Sequence, residues 1–282
     1  MSITRLNLRH ELARMCNDLI SGKADSGTTT TIVDDALTQT ETDFCKGWDV
    51  YIYEGTNIGA GAQVTAFTPA SDQITLAPAF ASVIDNTSRY ELHHRFTVAE
   101  YNYAIDRALD LVREQLLVAT HNDGTVLVAN QYEYAFDTAA NLQLRNFLYF
   151  TEIIMESSTE GVYNGEDIIP SKYWRILPAG FQSAYSKLWF DKALWSPTAG
   201  RKLRILGLVP HDVLTSDDSI LYFGQAFILY QAKAFLHESK IRPGGIELEA
   251  QRDQMLIAQQ RADFERRRIS TRMPPFARRV NR

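Results

Sequence analysis

Cysteine is almost missing from this sequence: 282 residues carry Cys16 and Cys45 and no others. Two cysteines cannot make a disulfide framework, and no close set of four Cys and His residues is there to hold a structural zinc. Two reduced thiols and synthesis in a reducing cytoplasm are expected. Long apolar runs are lacking as well. No stretch reaches the roughly 18 residues that cross a bilayer, and the first residues set Arg5 and Arg9 among apolar ones without the apolar stretch of a secretory signal. Catalytic signatures are also missing. There is no phosphate-binding G-x-x-x-x-G-K-[ST], no nucleophile elbow G-x-S-x-G and no H-x-x-x-H. Gly59-Ala60-Gly61 starts like a dinucleotide fingerprint but lacks the third small residue and opens a strand, not the helix whose N-terminus would hold a pyrophosphate.

What is present is ordinary in bulk and uneven in detail. Hydrophobic residues make up 45% and charged residues 22%, which excludes disorder over most of the chain. The 29 basic and 34 acidic residues give −5 overall, but residues 261–282 hold eight Arg against one Asp and one Glu; that stretch is +6 and the preceding 260 residues are −11. An arginine-only end on an acidic body predicts docking on a partner.

Hydrophobic periodicity predicts a helix over 2–21, striped by Leu8, Leu12, Met15, Cys16 and Leu19. Residues 25–95 read as about five short strands parted by Gly, Pro and Asp turns. Thr97-Val98-Ala99-Glu100 is a capping box that opens a second helix. Residues 126–210 are β-rich again, with the Ser196–Gly200 loop joining two strands as a hairpin. A third helix is expected over 219–238, with Asp217-Asp218 as its cap. Residues 246–268 form a mostly polar helix with a thin stripe of Ile246, Ala250, Ile257 and Phe264, expected to project from the body or pack on another chain. Pro274-Pro275 then forces an extended tail.

The candidate catalytic groups do not converge. His93 and His94 are neighbours on a strand and point to opposite faces, so a surface or strand-end role is expected for them. Asp34-Asp35 reads as a turn. No acid pair has an evident His or Lys partner. No enzyme activity, cofactor or metal is expected. The tail arginines suit carboxylates or phosphates; a solvated end, a nucleic-acid contact and insertion into a protein groove all remain open for them.

The layout resembles the head–tail adaptor (connector, head-completion) proteins of tailed bacteriophages. The resemblance runs from the first helix through Thr28–Asp34, the aromatic strand Gly47-Trp48-Asp49-Val50-Tyr51-Ile52-Tyr53, the glycine loop, Gln73–Leu76, Tyr90-Glu91-Leu92 and the capped helix at 97, to Trp174-Arg175-Ile176, Gly200–Ile205 and the helix after Asp218. It implies an α+β chain: a helical adaptor core (1–24 and 96–240), an inserted small antiparallel β module (25–95), a second β-rich segment, and a long C-terminal helix plus extended tail (241–282). It also implies a structural virion protein at the head–tail junction. Such a protein forms a homo-oligomeric ring, a dodecamer if it matches the portal, and binds the portal and downstream tail or neck proteins. Genomic DNA passes through its channel without sequence-specific contact, and no membrane is involved. The candidate portal-docking residues are Phe264, Arg266, Arg267, Arg268, Arg272, Pro274, Pro275, Phe276, Arg278 and Arg279. The alternative is a tail or neck protein whose β module binds a ligand or receptor, with Trp48, Tyr51 and Tyr53 stacking on sugars.

Overall fold

A computed structural model describes residues 2–139, 141–180, 185–222, 224–241, 248–269 and 277–280. They hold four helices and sixteen strands, and the strands form four antiparallel sheets. Strands dominate, which corrects the expected helical core with one small β module. The chain divides into two compact units: Met1–Leu111 with Val213–Ile269, and Val112–Asp212 with the segment from Ser270 onward. This division differs from boundaries at 24, 95 and 240, because the helices beyond residue 96 fall in the same unit as the 25–95 strands.

Unit 1 begins with strand β1 (Ile3–Thr4) and helix α1 (Arg5–Met15). The Thr4 hydroxyl accepts from the Asn7 amide and caps the helix. The helix is shorter than the 2–21 stripe predicts. Asn17 adopts φ 53°, the left-handed geometry that Asn tolerates, and the chain turns into a strand. Seven strands then share one sheet, in the order β2 (Ile20–Lys23), β8 (Arg89–His93), β5 (Asp49–Glu54), β6 (Gly61–Thr68), β7 (Gln73–Ala77), β4 (Thr31–Val33) and β3 (Ser26–Gly27). Their alternate residues, among them Ile32, Val50, Ile52, Val64, Ile74, Leu76, Tyr90 and Leu92, meet in one buried cluster. The sheet therefore carries its own core.

Helix α2 (Val98–Asp110) starts at the predicted capping box: the Glu100 amide donates to Thr97 Oγ1 (3.1 Å), and the Thr97 amide donates back to Glu100 Oε2 (2.8 Å). The third helix, α3 (Gln225–Lys240), begins later than predicted. Ile220-Leu221 form strand β15, paired with β1. Asp217 does not cap α3. It faces α1 and takes the guanidinium groups of Arg5 and Arg9. Helix α4 (Leu248–Arg266) packs along α3, which corrects the expectation that it projects from the body. Small Ala258 and Ala262 are buried there, so the backbones approach closely without a large apolar face.

Unit 2 is built almost wholly of strands. One sheet runs β16 (Arg278–Arg279), β11 (Tyr149–Met155), β14 (Lys202–Pro210) and β9 (Leu117–Val126); the other runs β10 (Glu133–Ala135), β13 (Lys187–Phe190) and β12 (Trp174–Leu177). The predicted hairpin across Ser196–Gly200 is not formed, because β13 and β14 lie in different sheets. A register shift between Phe150 and Glu152 breaks the simple alternation of β11, so Phe150 and Ile153, three residues apart, are the buried pair. Phe136, Phe147, Phe150, Trp174, Phe190 and Val280 share the core. Val280 is thus packed inside unit 2, beside a strand pairing between 278–279 and 149–150. The predicted extended tail falls partly on residues 270–276 and 281–282, outside the described residues.

Gly207, in the middle of β14, has no room for a side chain. A Cβ there would lie 2.3 Å from the Phe147 ring and 2.3 Å from the Tyr149 carbonyl oxygen. Gly207→Ala should therefore lower stability by about 1–3 kcal/mol, read as a lower urea midpoint with unchanged slope. An unaltered midpoint would mean that the Phe147 ring does not occupy that position.

Candidate functional site

Two places in unit 1 concentrate chemistry: a buried ionic cluster under α1, and the outer side of α4. The cluster arises because β8 is covered on both faces. Tyr90 and Leu92 point into the sheet core, so Glu91 and His93 must point the other way, toward the helices. Glu91 is fully buried and pairs with the equally buried Arg9 at 2.8 Å. Arg9 also donates to both carboxylate oxygens of Asp217, at 2.6 and 2.8 Å, and to Asn102 Oδ1 at 3.1 Å. Such a fork uses the guanidinium geometry fully. His10 Nε2 lies 2.7 Å from the second Glu91 oxygen, and His93 Nε2 lies 3.6 Å from it. Burial alone would raise the Glu91 pKa; contacts from His10 and His93 and the charge of Arg9 outweigh it and hold the carboxyl down at about 2. Burial also opposes ionisation of Asp217, and the Arg9 hydrogen bond overcomes it, lowering that pKa too.

The aromatic strand supports this cluster. The Arg9 guanidinium sits 5.1 Å from the Tyr51 ring centre, and His10 meets Tyr53 edge-on at 5.1 Å. Tyr51 and Tyr53 are half-buried partners of α1, not free faces for a sugar. Trp48 lies elsewhere, between Phe44 and His94, beside an open cleft of about 560 Å³ that Arg14 and Asn17 also line. Asp18 closes the floor of that cleft. Its carboxylate accepts from the backbone amides of His94, Arg95 and Phe96 and from the Tyr101 hydroxyl. His93 ends β8, as one of its two expected roles has it, but it is fully buried and not on the surface; His94 is exposed.

Cys16 and Cys45 are buried, and burial pushes each thiol up to about 11, so neither is a thiolate at neutral pH. Asp25, Asp34 and Asp35 bring carboxylate oxygens within 4.8 Å of one another. Asp34 already accepts from the Tyr90 hydroxyl at 2.6 Å and the Ala36 amide at 3.0 Å.

The predicted docking residues are divided between the two units, and several lie outside the described residues. Phe264, Arg266, Arg267 and Arg268 are exposed at the end of α4, in unit 1, where Arg268 pairs with Glu265 at 3.1 Å. Arg272, Pro274, Pro275 and Phe276 lie outside the described residues. Arg278 and Arg279 belong to unit 2. Arg278 donates to the carbonyl oxygens of Trp174 and Ser171 and lies over the Trp174 ring at 4.8 Å, so its charge is already engaged; burial lowers its pKa. Arg279 is exposed.

Along α4 the inward side sets Leu248, Met255, Ala258 and Ala262 beside two glutamines. Gln231 and Gln259 exchange side-chain hydrogen bonds at 3.1 and 3.2 Å, and His237 Nδ1 meets Gln251 Oε1 at 2.6 Å. The stripe of Ala250, Ile257 and Phe264 consequently faces solvent, with Leu256 beside it; Ile246 lies outside the described residues. No helix among the described residues is long and apolar enough to cross a membrane. No protein-family model matches the chain, and no curated protein matches it by sequence.

The Glu91 cluster makes a pH prediction. The folded-state pKa is depressed from the usual 4.5 to about 2, so its stabilisation is complete above about 4.5 and is lost as pH falls toward 2. Glu91→Gln should flatten that acid limb in denaturant titrations. At neutral pH it should cost about 3 kcal/mol, the lower end for breaking a buried pair, because Asp217 still holds Arg9. An acid limb as steep as wild type would place the titrating group elsewhere.

Proposed function

We propose that this chain is a structural virion protein, a head–tail adaptor that assembles into a ring between portal and tail and lines the DNA channel. The observation that carries this reading is the outer side of α4: an exposed stripe of Ala250, Ile257 and Phe264 runs into Arg266, Arg267 and Arg268. An isolated chain gains nothing from an apolar stripe turned to water. A chain in an assembly does. The −11 balance of residues 1–260 also suits a channel, since a surface rich in cations would hold DNA phosphates fast. The buried, high-pKa thiols and engaged carboxylates of unit 1 likewise favour a scaffold over an enzyme.

In this reading Arg266, Arg267 and Arg268, continuing into Arg272, Pro274, Pro275 and Phe276, contact the portal. Arg278 leaves that set because Trp174 and Ser171 hold it. The ligand-binding alternative loses two of its three aromatic residues, since Tyr51 and Tyr53 are occupied by Arg9 and His10.

Removing everything after Gly244 would be an ambiguous test, because it also takes Val280 out of the unit 2 core. Substitution is cleaner. Negative-stain images of the purified chain mixed with the portal of the same virus should show ring stacked on ring. The triple variant Arg266→Ser, Arg267→Ser, Arg268→Ser should bind that portal at least about tenfold more weakly and with a shallower salt dependence. Equal portal binding by the triple variant would remove the arginine contact. Images with no ring under any condition would remove the adaptor reading itself.

A further inference from the structure

The cleft beside Trp48 opens where two strands of unit 1 end before the sheet core is covered. Ile20, Leu92 and Val50 pair in one row across β2, β8 and β5. The next row on the same face is Trp48 and His94, because Asp49 pairs with His93. Strand β5 starts at Asp49 and β8 stops at His93, so no further row of these two strands covers the rings. Trp48 and Ile20 still pack on the buried cluster, and His94 lies against Trp48 with ring centres 4.9 Å apart. The last turn of α1 and the residues after it complete the lining through Arg14 and Asn17. At about 560 Å³ the space has the size that holds a small organic molecule.

The charges here have one sign to spare. Among the described residues Asp18 is the one carboxylate that lines the cleft, and it is saturated. It is fully buried and accepts from three backbone amides, from the Tyr101 hydroxyl and, at 2.7 Å, from His94 Nδ1. Asp49 alternates to the other face of β5, the one that meets α1. Three cations stand against Asp18. Arg95 Nε donates to His94 Nε2 at 3.0 Å, and Lys233 Nζ donates to the Met15 carbonyl oxygen at 3.0 Å. That lysine offsets the carbonyl end of α1, whose dipole would otherwise disfavour an anion. The third cation is Arg14. It is exposed, and among the described residues neither its side chain nor that of Asn17 has an ion-pair or hydrogen-bond partner. A last-turn arginine is ordinary by itself. This one lines an aromatic recess with its guanidinium fork unused, on a chain whose first 260 residues are −11 in balance.

We propose that this cleft binds a small amphipathic anion, with an apolar or aromatic body against Trp48, His94 and Ile20 and a carboxylate or phosphate head on Arg14. Asn17 adds a neutral donor to the same lining. Asp18 is a positioning residue: it holds the backbone of residues 94–96 and the His94 ring, and so keeps the aromatic wall in place. The inference goes beyond the adaptor reading and does not rest on it, since no residue of α4 or of the tail takes part.

Ligand-observed NMR titration of the full chain with phenyl phosphate and with phenylacetate tests it. At least one should bind, and the tighter of the two assigns the head group. Benzyl alcohol keeps the ring and lacks the charge; it should bind at least about tenfold more weakly. Inorganic phosphate has the charge without the ring, and it should displace the bound probe only at about tenfold higher concentration or more. Arg14→Ala should weaken binding by about tenfold or more, and Arg14→Lys should restore part of it. Circular dichroism and thermal midpoint should stay unchanged in both, because Arg14 is exposed. Two results would overturn the site: no binding of either anion up to about 10 mM, or full-strength binding by Arg14→Ala. Benzyl alcohol binding as tightly as the anions would overturn the assignment of an anionic ligand.

Discussion

The Glu91 carboxylate lies out of reach of water, and the arrangement of unit 1 follows from what it needs. A buried carboxylate without a partner is prohibitively costly. Arg9 must therefore meet it, which fixes α1 over β8 and sets the rotation of the helix. Arg9 in turn brings in Asp217, and with it the segment that leads into β15 and pairs with β1. Tyr51 and Tyr53 become the walls of this cluster, so the alternation of β5 has two destinations: Val50 and Ile52 to the sheet core, the tyrosines to α1. A buried pair of this kind contributes little net stability over apolar residues of the same size. Its consequence is geometric, since few other placements of α1 would bring Arg9 to Glu91, Asn102 and Asp217 at once.

The helices beyond α1 extend that logic outward. Helix α2 is held by its capping box and by Lys240 of α3, which reaches Glu100 at 2.9 Å. Helix α4 lies on α3 through small residues and amides, not through its apolar stripe. That choice leaves a hydrophobic line and an arginine cluster on the outside of a chain whose remainder is acidic. Meanwhile the last described residues are a short strand and a core valine of unit 2. The C-terminal segment thus serves two ends: one part offers a surface, and another anchors a sheet.

Local signals in the sequence were legible wherever local physics decides. The capping box at Thr97, the glycine turn before Gly61 and the alternation around Val50 and Ile52 depend on neighbours in the chain, and each shows in the residues themselves. The Glu91 cluster does not. A Glu in a strand reads as solvent-facing, and only the second layer packed on β8 makes it buried; the hint was Glu91 and His93 sharing one face of a short strand. Asp217 misled for the same reason. An Asp before a helix reads as a cap, yet α3 starts only at Gln225, and Asp217 instead meets guanidinium groups distant in sequence. The α4 stripe faces outward because a second line, Leu248, Met255, Ala258 and Ala262, is the one turned inward. Ala258 and Ala262 carried that information. The balance of helix to strand is not legible in the same way: residues 25–95 read as an insertion between helices, but their sheet has a core of its own.

Native mass spectrometry of the purified full chain bears most directly on the claim that it is built to assemble with itself. One discrete closed oligomer that persists across concentration is the expected result. A spectrum of monomers alone, or an unbounded ladder of sizes, would contradict it.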